Sequence, residues 1–293
     1  MHDIEATVLY PSQCYLGEGP MWHAERKGCF WTNIEGFGFY EYEWASGKTE
    51  FYETPYRVSL ILQCPGDELI LGVQGGLARF DLESKTTTWL LDLDKQFPNS
   101  RCNDGACDSV GRVWIGTMDR NFKPGAGSLY CIDEDLKAQR KVERTTISNG
   151  MAWSPDNHIF YYIDTPTQKV QSYDFDAGTG SIHFRKDVIT VSNNEGSPDG
   201  MAIDEEGMLW VAQWGGHGIY RWNPHTGKQI GKISLPVPNV SSCAFVGDKL
   251  EYLLITTAAQ DLNPDELKEF PRSGDVFIAQ PGVRGLPVNY PTI

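Results

Sequence analysis

Four polar residues each stand directly before a glycine, at widely separated points of the chain. They are Glu18 in "LGEGPMW", Asp104 in "RCNDGACD", Asn149 in "SNGMAW" and Asp199 in "PDGMAI". Carboxylates brought together repel unless a positive charge sits between them. Glu18, Asn149 and Asp199 offer only oxygen atoms, which suits a hard divalent ion such as Ca²⁺, Mg²⁺ or Mn²⁺. Two carboxylates and one amide would neutralise such an ion without filling its shell. The remaining places suit water or a substrate oxygen, as in a catalytic metal site. Asp-Gly and Asn-Gly are also ordinary turn pairs, since Gly permits positive φ and Asp or Asn bonds nearby backbone. Glu-Gly is a poorer turn pair, so Glu18 is less well explained as a turn.

Whether these residues meet depends on the elements that carry them. Helical periodicity is nearly absent; the one fair helix candidate is "NPDELKEF", Asn263 to Phe270. Short alternating runs rich in Trp, Tyr, Val and Ile dominate, divided by Gly, Asp, Asn and Pro. Six of them share one plan: "KGCFWTNIEG", "DELILGVQGG", "GRVWIGTMDR", "NHIFYYIDTP", "EGMLWVAQWG" and "KLEYLLITTA". A second strand of similar kind follows most of them. The period of roughly 40–50 residues suits the four-stranded blades of a propeller. One such sheet alone leaves open edges and two apolar faces, and radial packing of six buries the faces. The expected fold is therefore all-β, a six-bladed β-propeller with a central metal site, forming a single domain over residues 1–293. Each acid or amide then sits at the top of an innermost strand, and the innermost strands converge on the channel. By the same logic Trp31, Trp114, Tyr161 and Trp210 should occupy equivalent places in different blades.

The chain's 293 residues are 40% hydrophobic and 22% charged, ample for a large core. A formal net charge of −14 repels phosphates, so nucleic acid and anionic membranes are not expected partners. No apolar run approaches the roughly 20 residues of a membrane helix. The start "MHDIEATVLYPSQCYLGEGP" lacks a basic region followed by an apolar one, so no signal peptide is read. Seven scattered cysteines fit reduced, packed thiols and a cytoplasmic location. Cys102 and Cys107 lie near the candidate site but match no usual zinc spacing. No G-x-S-x-G elbow, H-E-x-x-H or glycine-rich phosphate loop is present, which disfavours serine hydrolase, zincin and nucleotide-binding readings. The six histidines, His2, His23, His158, His183, His217 and His225, form no metal spacing, and a turn or packing role is expected for His217.

The motifs "LGEGPMW", "RCNDGACDSVGRVWIGTM", "ISNGMAWSPDNHIFYYIDT", "SPDGMAIDEEGMLWVAQWGG" and "SSCAF", in that order, resemble the SMP-30/gluconolactonase/luciferin-regenerating enzyme-like family. The resemblance spans nearly the whole chain. It implies a six-bladed propeller with one divalent cation, Ca²⁺, Zn²⁺, Mn²⁺, Mg²⁺ or Fe(II), on Glu18, Asn149 and Asp199. It assigns substrate contact to Arg101 and Asn103 and makes Asp199 the general base. Animal members carry a sugar-holding glutamate in the loop after the "GTM" strand. This chain has "GTMDRNFKPGAGSLY", with Asp119 and Asn121 there, and Asn121 takes the place of a substrate contact.

The chemistry expected is metal-assisted hydrolysis. A divalent ion would stabilise the negative charge that develops on a lactone carbonyl, and Asp199 would take a proton from the attacking water. The cation also lowers the proton affinity of a carboxylate beside it. Arg101 and Asn103 would bind sugar hydroxyls or the ring oxygen. Trp214 could stack on a sugar face. The expected reaction turns a gluconolactone-, xylonolactone- or arabinonolactone-like sugar lactone into its aldonic acid, in a monomer or small homo-oligomer. Two alternatives stand beside it: a non-catalytic calcium- or ligand-binding scaffold, and a metal-dependent hydrolase of other esters. Arg101 and Asn103 separate the first alternative, because a pure metal buffer has no need of them.

Overall fold

Aromatic and β-branched runs between Gly, Asp and Asn turns become strands along the whole chain, as their propensities and alternation require. The computed structural model describes residues 3–293. Its strands form six sheets, five of four strands and one of five. Each sheet is built on an antiparallel meander of consecutive strands, and in the last two an N-terminal strand is added at the outer edge. The innermost strands are Gly17–His23, Val58–Gln63, Ser100–Cys107, Ser148–Trp153, Ser197–Ile203 and Val240–Val246, in blades 1 to 6. Each packs against the inner strands of its two neighbouring blades, and that of blade 6 packs against that of blade 1, so the ring closes. This is the six-bladed propeller that the repeats predict.

Closure uses both ends of the chain. Thr7–Tyr10 is the outer strand of blade 6, hydrogen-bonded to Val276–Ala279. Asp3–Glu5 adds in parallel to Lys228–Ser234, the outer strand of blade 5. The only α-helix among the described residues, Pro264–Glu269, lies in the blade 6 excursion, at the one helix candidate of the sequence. Asn263 accepts from the N–H groups of Asp265 and Glu266, and Glu266 returns a bond to the Asn263 N–H.

Six apolar clusters fill the six gaps between blades. Trp114 and Leu129 of blade 3, for example, pack on Trp153, Phe160 and Phe175 of blade 4. Truncating a buried aromatic of this kind typically costs about 3–5 kcal/mol. Trp114, Tyr161 and Trp210 hold equivalent places: each pairs with an alanine of the inner strand (Ala106, Ala152, Ala202) and faces the following blade. Trp31 departs from this set. It faces back toward blade 6, and Phe30, paired with Met21, takes the equivalent position. Side chains alternate with period 2, so the one-residue offset between the "CFW" and "MLW" motifs puts Trp31 on the other face.

Candidate functional site

All six inner strands carry a β-bulge at one level of the channel. Two residues oppose one in blades 1, 3, 4 and 5, and an unpaired Ser59 or Ser241 interrupts the pairing in blades 2 and 6. A bulge adds a residue and re-aims the side chains beside it. Counting back three residues from the inner-strand partner of each equivalent second-strand position gives one ring: Glu18, Ser59, Asn103, Asn149, Asp199 and Ser241.

Two readings of the motifs change here. In "RCNDGACD" the ring member is Asn103, while Asp104 takes the place held by Gly19, Gly150 and Gly200. The glycines of "SNGMAW" and "PDGMAI" also do not make turns, because both lie within strands. They permit close approach of the next inner strand. A Cβ on Gly150 would lie 2.6 Å from the Asp199 carbonyl oxygen, and one on Gly200 would lie 2.1 Å from Ser242 Oγ. Only Gly19 among the three has positive φ, at 51°.

Glu18, Asn103, Asn149 and Asp199 line a cavity of about 240 Å³, with Arg101 and Thr165. Ser59 and Ser241 turn their hydroxyls to backbone carbonyls, those of Gly72 and Gly17. Asp104 instead lines a second cavity of about 480 Å³ in the other half of the channel. Adjacent residues of one bulge thus serve opposite halves.

A directed chain of hydrogen bonds orders the first cavity. The Thr165 hydroxyl donates to the Pro198 carbonyl at 2.8 Å, which leaves its oxygen to accept from Asn149 Nδ2 at 2.8 Å. That fixes the Asn149 amide with Oδ1 free to accept from Asn103 Nδ2 at 3.0 Å. Asn103 Nδ2 also donates to the Ser148 carbonyl at 2.9 Å, and its Oδ1 accepts from Arg101 Nη1 at 2.5 Å. Both amide protons of Asn103 are therefore engaged, so toward a substrate it can act only as an acceptor. Arg101 Nη1 is spent on Asn103 and on the Cys102 carbonyl, while Nε and Nη2 have no partner among the described residues. Next to Arg101, Ser100 Oγ donates to buried Asp94 at 3.3 Å. Asp94 also accepts from Thr117 Oγ1 at 2.7 Å and from the Tyr130 hydroxyl at 2.6 Å. Neither Thr165 nor Asp94 stood out in the sequence; the only signal was a Thr or Asp at a strand end.

The electrostatics are those of gathered carboxylates. Burial and then the Asp104 carboxylate push Glu18 up to about 8, against the Gly19 N–H and Arg101. Burial, Glu18 and Asp104 hold Asp199 well above the usual carboxylate range, against Arg101 and a hydrogen bond from Asn149. Burial alone lifts Asp104 to about 6. Burial also pulls the Arg101 guanidinium down, opposed by Glu18 first. One buried guanidinium faces several carboxylates, so the site has a deficit of positive charge.

That deficit, together with the oriented oxygen of Asn149, fits a divalent cation on Glu18, Asn149 and Asp199. No grouping of three or more His, Cys, Asp or Glu able to hold a metal occurs among the described residues. The candidate set joins only two carboxylates, its third member being an amide.

Of the other candidates, only Trp214 lines the cavity. Asn121 is exposed and is not part of the cavity lining, whereas its neighbour Phe122 is. Trp214 is half-buried and lines the mouth. His217 has φ 55°, bonds backbone to backbone with Pro238 and Leu235, and sets its ring against Phe270. His2 lies outside the described residues. All seven cysteines are buried and unbridged, and burial pushes the Cys102 thiol up to about 12. They are packing residues.

Residues 16–259 match the family model described as the SMP-30/Gluconolactonase/LRE-like region. Regucalcin of Gallus gallus is 35% identical over 295 residues, covering 98% of both chains. The Bacillus subtilis (strain 168) protein named "Putative sugar lactone lactonase YvrE" is 31% identical over 277 residues, covering 94% of this chain and 95% of that one. Among solved structures, the calcium-binding protein regucalcin of Agrobacterium tumefaciens str. C58 superposes with a TM-score of 0.93 at 27% identity. The match covers 98% of this chain and 97% of that one. With its propeller, its ring of oxygens and this likeness along nearly its whole length, the chain belongs to the SMP-30/gluconolactonase/LRE-like family.

Proposed function

We propose that this protein is a metal-dependent lactonase that opens a sugar lactone to its aldonic acid. The observation that carries the reading is the placement of Arg101 and Asn103 in the same cavity as Glu18, Asn149 and Asp199. A cation store needs only the oxygens. A hydrolase also needs directed hydrogen-bonding groups for a second molecule, here the Arg101 Nε and Nη2 donors, positioned through Asn103. The family and the name of the Bacillus subtilis relative support the same choice.

Glu18, Asn149 and Asp199 would hold the cation, which when bound supplies Lewis-acid polarisation of a carbonyl and relief of the carboxylate repulsion. Asp199 accepts the proton of the attacking water on a carboxylate oxygen as the new C–O bond forms. The proton then passes to the ring oxygen as the ring C–O bond breaks, giving a hydroxyl and a carboxylic acid, which releases its own proton to solvent. Arg101 directs its free Nε and Nη2 donors at the ring oxygen or a hydroxyl, and Asn103 holds Arg101 and Asn149 in register. Trp214 at the mouth offers a face for the sugar ring. Seven unbridged thiols support a reducing, cytoplasmic setting.

The test is hydrolysis of an aldonolactone panel by purified protein, with each divalent metal and with chelator. Turnover that chelator removes and metal restores is expected. Cation binding without turnover of any lactone would favour the binding scaffold instead.

A further inference from the structure

The cavity mouth has unlike sides. Blades 3 and 4 line it with three apolar side chains, Met118, Phe122 and Ile147, beside the polar Arg101, Asn103, Asn149 and Thr165. Blades 5 and 6 line it with Ser197, Asp199, Gln260 and Asp261, and with Trp214 as their one apolar side chain. Ser197 Oγ accepts from Gln168 Nε2 at 2.8 Å and keeps its own proton to donate. The side chains of Gln260 and Asp261 make no hydrogen bond among the described residues.

Phe122 is the notable member of the apolar wall. It is 49% exposed, and its φ of 57° lies in the left-handed region, which bulky residues seldom adopt. The turn that holds it is pinned at several points. Arg120 N donates to the Asn99 carbonyl at 2.9 Å, Asn121 N to Asp119 Oδ1 at 2.8 Å, and Phe122 N to the Asp119 carbonyl at 2.8 Å. Beyond it, Gly125 N donates to Thr146 Oγ1 at 3.1 Å. The loop thus presents a large apolar ring to the cavity from a fixed backbone. A hydroxyl placed against this wall would lose water without gaining a partner. A methyl group there would gain contact.

We propose that the substrate is a deoxysugar lactone, with hydroxyls along the Ser197–Gln260–Asp261 side and a methyl group in place of a hydroxymethyl against Phe122, Met118 and Ile147. This rests on the lactonase reading and narrows it. Phe122 is then a specificity-determining residue. The loop supplies an apolar contact where the polar Asn121 points to none.

The experiment uses the full-length protein with its activating metal and matched lactone pairs that differ only in an exocyclic methyl or hydroxymethyl group. A methyl-sized contact in an apolar pocket is worth about 10-fold or more in kcat/KM. The expected result is a preference of at least about 10-fold for the methyl member. Phe122→Ala should collapse that ratio, and Phe122→Leu should keep a good part of it. Equal or reversed preference in the wild type, with turnover of both members, overturns the proposal and leaves the lactonase reading standing. A preference untouched by Phe122→Ala also overturns it. Failure of every lactone under every metal overturns both.

Discussion

Asn103 donates its side-chain amide to the carboxamide oxygen of Asn149 at 3.0 Å, joining blade 3 to blade 4 inside the cavity. This bond lies midway in a chain that runs from Arg101 to Asn103, Asn149, Thr165 and the Pro198 carbonyl. Pro198 directly precedes Asp199. The positions of Arg101 and Asp199 are therefore coupled through three blades, and the orientation of the Asn149 amide follows from the hydroxyl at its far end.

Thr165 should matter for that reason although it is not a ligand. Thr165→Val keeps shape and removes the hydroxyl, so the Asn149 amide is then oriented only by the bond that Asn103 donates to its Oδ1. Loss of an outer partner of this kind typically lowers metal affinity 10–100-fold. Titration calorimetry with a divalent cation should find a drop of that size, and Thr165→Ser should restore most of it. Equal affinity in Thr165→Val would remove the chain from the account of the site.

Glu18 gives a pH prediction. Its carboxyl is lifted from an ordinary 4.5 to about 8 in the metal-free fold. Between those values the folded state holds a proton that the unfolded chain releases, so stability falls as pH rises through the window. Metal-free protein should melt several degrees lower at pH 9 than at pH 5, and added cation should raise the melting temperature far more at the high end. A metal-free melting temperature that climbs across this range would contradict the placement of Glu18. Glu18→Gln should flatten the profile and weaken cation binding together.

Much of this site was legible before any geometry. The period of the aromatic strands predicts six blades, and acids and amides before glycine mark the level where they converge. The misreadings are of one residue each, and they share a cause. "RCNDGACD" places two polar residues where the other motifs have one polar residue and a glycine, so a match on the glycine selects Asp104 over Asn103. "CFW" and "MLW" likewise differ by one position, which moves Trp31 to the opposite face. A bulge is invisible in a string of residues, and period-2 alternation turns each one-residue slip into a change of side. Thr165 was illegible for another reason, because it acts across blades.

Asp104 is the clearest case for a stabilising change. It shares no ring with the candidate ligands, lines the other cavity, and raises the proton affinity of both Glu18 and Asp199. Its own carboxyl bonds only the adjacent Gly105 N–H. Asp104→Asn should raise the metal-free melting temperature by a few degrees at pH 8, where its charge is repelled most. It should also weaken cation binding modestly by removing a nearby negative charge. A lower melting temperature in Asp104→Asn would mean that its carboxylate has a cationic partner in solution.

Ring closure by the first strands bears on the reading of the chain as one domain. Thr7–Tyr10 completes blade 6, and Asp3–Glu5 adds to blade 5. Every gap between blades holds an apolar cluster, so no seam divides the ring. Scanning calorimetry should record a single transition. Removal of residues 1–10 should open an edge on Val276–Ala279 and lower the melting temperature sharply. Two resolved transitions in the intact protein would argue for separate folding units.

The separation of Asp199 from Arg101 tests the chemistry itself. Asp199→Asn keeps an oxygen and nearly the same volume, so the loss falls on charge and on proton acceptance. At saturating metal kcat should fall on the order of 10²–10⁴-fold, the usual share of a general base. Arg101→Ala acts differently. It removes a positive charge that competes with the cation, and it releases Asn103, which steadies Asn149. These effects oppose one another, so cation affinity should stay within about 10-fold, while KM rises through lost substrate orientation. Full kcat in Asp199→Asn would assign the proton to another group and leave Asp199 as a ligand only. Unchanged KM and kcat in Arg101→Ala would place the substrate elsewhere in the cavity, away from the free Nε and Nη2 donors.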